Sequence, residues 1–212
     1  MFPASHQEGT KVCVMKLSEK DAELFFMLYQ PLLLYTNKKL KVTKKIKSIA
    51  DIRKASLDPE TGAVRDALYK HTEVIDEFIS ENPWDFNDEE LHIVEDWKNF
   101  VASDYFVLYS YKKEHALFID LSPPTKIYGV LALHKPFKTL FGSNLPIMLR
   151  AVLLPFKGKI VYDGITVKYP FTFGPGMLEM FDVAYSEAEE KYGIITKLPF
   201  IEKEAQTNTR KA

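Results

Sequence analysis

Residues 22–35, AELFFMLYQPLLLY, constrain this chain more than any other stretch. Leu24 to Leu28 are apolar on every side of a helix, so a helix built from them has no face to give to water. It must be enclosed either by the rest of the chain, as the hub of a helical half, or by a second copy, as a dimerisation surface. The segment falls short of the roughly 20 apolar residues a membrane-spanning helix needs, and Gln30 and Pro31 interrupt it, so no membrane association is expected. Pro31 lacks an N–H and predicts a kink or a split into two helices. Enough apolar material exists to do the enclosing. Of the 212 residues, 46% are hydrophobic and 13% aromatic, enough for one large domain or two small ones.

Helix signals cluster in the first half. Ser18 followed by Asp21 is a weak capping box ahead of the apolar helix. Asp58-Pro59 places an N-cap acid before a first-turn proline and predicts a helix to about Ser80. Asn87 with Glu90 forms another capping box, for a helix to about Phe100. Residues 11–16, KVCVMK, read as a short strand.

From Asp104 the period changes. YFVLYSY (105–111) and HALFIDL (115–121) flank KKE as a hairpin, and KIYGVLAL (126–133), MLRAVLL (148–154), GKIVY (158–162) and ITVKYPF (165–171) follow. About six short strands with turn punctuation predict a small barrel or a curled antiparallel sheet. MLEMFDVAYSEAEEKYG (177–193) is then a helix capped by Gly193. The fold class expected is α+β: a helical N-terminal half (1–103) packed on an antiparallel sheet or SH3-like barrel closed by a C-terminal helix (104–204), with a tail at 205–212. The string RAVLLPFKGKIVYDGI, with KYGIITKLP after the helix, resembles the C-terminal signature of an uncharacterised family of prokaryotic proteins with a helical N-terminal half. The resemblance implies the architecture and brings no activity.

Asp163-Gly164 between alternating β-formers predicts a type I′ hairpin, because both central residues of that turn need φ > 0. In that register Lys159 opposes Lys168 on an outward face, with Lys157 nearby. Asp163 reads as a turn residue before a catalytic acid. Like charges across a ladder are unfavourable unless an anion sits between them, so these lysines either splay into water or form an anion site for phosphate, nucleic-acid backbone or a carboxylate. A second basic feature is the strip Lys38, Lys39, Lys41, Lys44, Lys45, Lys47, set against ten acids and no lysine or arginine in residues 73–96. The two stretches either face each other, or the strip tracks phosphates.

Other chemistry is thin. Cys13 is the single cysteine, which excludes an intrachain disulfide and a cysteine-based zinc site. It fits a reducing cytoplasm, and the N-terminus lacks the pattern of a signal peptide. Glu89 and His92 have metal-ligand spacing but fall opposite the buried arc of their helix, so no metal or cofactor is expected. Gly174-Pro175-Gly176 lacks the spacing of a phosphate-binding loop. The expected function is a non-catalytic binding or regulatory module for an anionic surface, either nucleic acid or an acidic protein partner, with a homo-oligomer through 24–35 as a further option. The alternative is a hydrolase of phosphorylated or nucleic-acid substrates, its groups converging from Asp104, His115, Asp120, His134 or Asp163.

Overall fold

The computed structural model describes residues 16–54 and 59–202. Cys13, most of the expected strand 11–16, Asp58 and the tail 205–212 lie outside the described residues; Lys16 forms an isolated bridge to Ala132.

Helix α1 (Glu19–Leu40) starts where the Ser18 Oγ accepts a hydrogen bond from the Asp21 N–H at 3.1 Å. It runs unbroken through Pro31, so the expected split does not occur. The missing backbone bond and ring clash cost about 3 kcal/mol. Phe25, Leu28, Leu32, Leu33 and Leu34 are all buried, and each contributes about 1.5–3 kcal/mol, so packing wins. At its end the buried Asn37 side chain donates to the carbonyls of Thr43 and Ile46 and accepts from the Thr43 N–H, which shapes the lysine-bearing loop before α2 (Ile49–Lys54).

The single helix expected from residue 59 is two, α3 (Pro59–Lys70) and α4 (Glu73–Glu81). The buried stripe Val64–Leu68 would next fall on His71 and Thr72, which are polar; the chain turns there and buries Val74, Ile75 and Phe78 in a new phase. Helix α5 (Asp88–Asp96) has the expected Asn87–Glu90 capping box and passes into a short 3₁₀ turn, Trp97–Asn99.

The remaining elements are β1 (Val101–Tyr111), β2 (Ala116–Asp120), β3 (Lys126–Leu131), α6 (Phe137–Phe141), β4 (Ile147–Phe156), β5 (Lys159–Tyr162), β6 (Val167–Lys168), α7 (Pro175–Tyr192) and β7 (Ile194–Ile195). Strand order β1-β2-β3-β5-β4 closes on itself through a β1–β4 pairing, making a five-stranded barrel; β6 extends the edge of β4, and β7 that of β3. One closing contact departs from the antiparallel expectation. β3 and β5 are parallel, which is possible because α6 and β4 cross over between them.

Alternation along β1–β3 sorts the side chains. Phe106, Leu108, Phe118 and Val130 enter the barrel core, whereas Val107, Leu117, Ile119 and Ile127 point outward against Phe181 and Ala188 of α7. β4 is almost wholly apolar because the helical half covers its outer side. Phe25 of α1 links the halves: its ring lies 5.4 Å from Trp97 and 5.6 Å from Phe156. Helices and barrel therefore share one core, and α1 is its hub.

We expect Phe25→Ala to lower stability by about 3–5 kcal/mol. Near-UV and far-UV circular dichroism should still give one coincident unfolding transition; two separated transitions would show that the halves fold independently.

Candidate functional site

The expected hairpin at Asp163-Gly164 is absent. The tight turn lies one strand earlier, where Lys157 (φ 49) and Gly158 (φ 72) join β4 to β5 and Phe156 opposes Lys159. After β5 the chain does not fold back. It continues along the same edge of β4, bulging at 163–166 before Val167 pairs with Arg150 and Lys168 with Leu149. Lys159 and Lys168 are therefore seven residues apart along β4, about 23 Å, and are not opposed. Lys157 Nζ holds Asp21 at 2.6 Å. The basic strip is exposed throughout. Part of it does face acids, since Lys39 meets Glu77 at 2.6 Å and Glu81 at 3.7 Å, and Lys45 meets Glu60 at 2.7 Å.

The bulge turns Asp163 inward, and the side chain is 0% exposed beside Arg65 at 1%. Arg65 Nη1 donates to Asp163 Oδ2 at 2.9 Å and to the Ile165 carbonyl at 3.3 Å. The Tyr29 hydroxyl donates to the same carboxylate at 3.3 Å, and the Ile165 N–H donates to its other oxygen at 3.0 Å. From Arg65 the charges alternate outward. Nε reaches Asp66 at 2.7 Å, Asp66 reaches Arg150 at 2.7 Å, and Arg150 reaches Asp104 at 2.8 Å, while exposure rises from 26% at Asp66 to 65% at Asp104. Tyr69, whose hydroxyl donates to that of Tyr29 at 3.4 Å, lines a cleft of about 200 Å³ at the outer end of this chain.

Burial pushes the Asp163 carboxyl up from an ordinary 3.8 to about 6, against the pull of Arg65, the Ile165 N–H and Tyr29. Burial acts on Arg65 in the opposite sense, but Asp163, Tyr29 and Asp66 outweigh it and raise the guanidinium pKa. The weaker partner is the carboxylate. When Asp163 takes a proton, Arg65 still holds Asp66, so its charge is not orphaned. Burial also raises both phenols, Tyr29 and Tyr69, well above their usual range, which keeps them as donors.

A second feature lies where the β1–β2 turn, β3 and the β4–β5 turn meet. Glu114 and His115 from the β1–β2 turn, Gly129 and Leu131 of β3, and Gly158 and Lys159 bound a cleft of about 340 Å³. The His115 ring lies against Gly129, where a Cβ would stand 2.9 Å from the imidazole Cδ2. Its Nε2 is buried without a partner. Burial lowers the His115 pKa, with Glu114 opposing and Lys112 adding to the effect, which favours a neutral imidazole.

The other candidates do not converge. Asp104 holds Arg150, Asp120 accepts from Ser103 Oγ at 3.1 Å, and His134 stacks on Phe26. Among the described residues no hydrogen bond or ion pair joins any two of Asp104, His115, Asp120, His134 and Asp163. His92 contacts Glu95 at 3.7 Å on an exposed face, and no group of three metal-ligating side chains occurs among the described residues. No described helix is long and apolar enough to cross a membrane. Comparison with known proteins finds no matching family model, no matching curated protein and no matching solved structure.

Asp163 titrates higher folded than unfolded, so the stability it contributes is complete below about pH 4 and is lost as pH rises to about 6. The loss is about 3 kcal/mol. We expect the difference in urea-unfolding free energy between the native protein and Asp163→Asn to change across that window. A difference that stays constant would show that Asp163 titrates normally.

Proposed function

We propose that this protein is a non-catalytic binding module for single-stranded nucleic acid, taken in the cleft between the β1–β2 and β4–β5 turns. The observation that carries this reading is the cleft between the 112–115 and 157–158 turns, with Lys159 at its rim and a desolvated, unpartnered His115 nitrogen in its wall. Closed five-stranded barrels of the oligonucleotide-binding type take ligands over strands 2 and 3 and at the loops joining strands 1–2 and 4–5. The all-antiparallel SH3-like alternative fits less well, because β3 and β5 run parallel. The architecture is analogy, and the cleft supplies the chemistry.

Helix α7 limits the ligand. It covers Val107, Leu117, Ile119 and Ile127 on the outer face of β1–β3, so a strand cannot lie along the whole sheet. A terminal or looped-out nucleotide fits the remaining space, with a phosphate against Lys159 at the rim. Lys168 stands outside this footprint. The hydrolase reading has no specific support, because His115 makes no hydrogen bond to a carboxylate among the described residues.

Anisotropy with a labelled oligonucleotide of about 12 residues, followed from about 50 to 200 mM salt, tests this reading. Affinity should fall steeply with salt. Lys159→Gln should reduce the logarithmic salt slope by about 0.7, and Lys168→Gln should leave it unchanged. Absence of salt-sensitive binding, or equal effects of the two variants, would overturn the proposal. Binding of poly-glutamate in place of the oligonucleotide would reassign the ligand to an acidic protein surface.

A further inference from the structure

A separate cleft of about 590 Å³ opens on the far side of α1. Its floor is one stripe of that helix, in which Glu23, Phe26, Met27 and Gln30 follow at helical spacing. The lining is mainly apolar, and four of its side chains are aromatic. Phe26 and His134 stack with ring centroids 5.2 Å apart and planes within 10°, and Trp84 and Phe86 come from the turn after α4. That turn is built rigidly. The Asn82 side chain donates to the Phe86 carbonyl at 2.8 Å and accepts from the Phe86 N–H at 2.9 Å, while both rings rest on buried Phe78. Two aromatic side chains are thus held at a partly exposed surface by a side-chain clamp, and nothing in the nucleic-acid reading uses them.

One charged group gives the cleft polarity. Arg53 of α2 lines it and donates from Nε to Gln30 Oε1 at 2.9 Å. Gln30 is neutral, so it orients the guanidinium without neutralising it. Among the described residues no carboxylate lies within ion-pair distance of Arg53, whereas Arg65 and Arg150 each hold carboxylates. With Nε occupied, the terminal nitrogens present the paired donors that suit a planar oxyanion. Glu23 lies seven residues before Gln30 on α1, about 10 Å away along the axis, so an acid group belongs at the Arg53 end. The volume lies within the range of small-molecule sites, about 300–1,000 Å³, which are mostly apolar with a few polar groups fixing orientation.

We propose that this cleft is a second binding site, for a planar aromatic acid of fused-ring size. The ring packs on the Phe26–His134 stack and against Trp84 and Phe86, and the acid group pairs with Arg53. The Glu23 end suits a hydrogen-bond donor on the far edge of the ring.

Trp84 is the reporter, because the other tryptophan, Trp97, is fully buried in the core. The full-length protein is titrated with 2-naphthoate, with the neutral 2-naphthamide and with cyclohexanecarboxylate, following tryptophan fluorescence and, in parallel, isothermal calorimetry. Naphthoate should quench Trp84 and bind more tightly than either analogue. Arg53→Gln, on an exposed side chain, should weaken naphthoate by about tenfold or more and leave naphthamide unchanged. Trp84→Phe should abolish the quench while calorimetric binding persists. Equal affinity for acid and amide, equal affinity for the aromatic and saturated acids, indifference to Arg53→Gln, or no binding of naphthoate would each overturn the proposal. The oligonucleotide arm at the His115 cleft is read independently, so failure of one site leaves the other standing.

Discussion

Arg65 and Asp163 form the contact around which the two halves are arranged. The guanidinium comes from a helix of the N-terminal half and the carboxylate from a bulge on the barrel edge, and both are removed from water. Taking two charges out of water is unfavourable by several kcal/mol per ion, and their mutual attraction offsets this only with good geometry and further hydrogen bonds. Both conditions hold here. Tyr29 and the Ile165 N–H fill the remaining sites on the carboxylate, while Asp66 holds the other edge of the guanidinium. Such a pair contributes less to net stability than apolar packing of the same volume, but it permits few alternatives. With α3 slid by one turn or β5 continued without its bulge, a bare charge would be left inside.

Packing and charge divide the labour. Buried apolar side chains of α1 and the aromatic contacts that run from Phe25 to Trp97 and Phe156 join helices and barrel into one core. The charge chain from Asp163 out to Asp104 then ties α3 to β4 and β1. On this frame both candidate ligand sites sit where turns are clamped: the His115 cleft beside the Lys157-Gly158 turn, and the aromatic cleft beside the Asn82 clamp. Rigid elements present short, constrained loops, the arrangement from which binding residues lose least freedom when a ligand arrives.

Legibility followed the range of each interaction. The Asn87–Glu90 capping box, the caps at Ser18 and Gly193 and the alternation of β1–β3 depend on neighbours within a few residues, and all are present. The break at His71-Thr72 was legible too, because the apolar stripe of α3 fails there; the reading of one long helix overlooked that phase slip. Asp163-Gly164 misled for a different reason. Its local turn propensity is real, but Arg65, 98 residues away, takes the carboxylate, and with it went the expected pairing of Lys159 and Lys168. The cleft at His115 was visible only as a histidine at a strand end, since nothing local marks Gly129 as its seat. The Arg53 cleft gave no signal beyond the helical spacing of Phe26 and Gln30.

By itself the chain order determined that the first half is helical and the second mainly strand, that α1 needs enclosure, and that the strands form a small curled sheet or barrel. These follow from backbone sterics and the burial period of each segment, which a short window contains. Only the tertiary structure decided that β3 and β5 meet in parallel, that a bulge replaces a hairpin, and which lysines share a surface. Those outcomes depend on where buried charge finds its partner and on how apolar faces from distant segments best exclude water together, quantities that belong to the whole packed molecule.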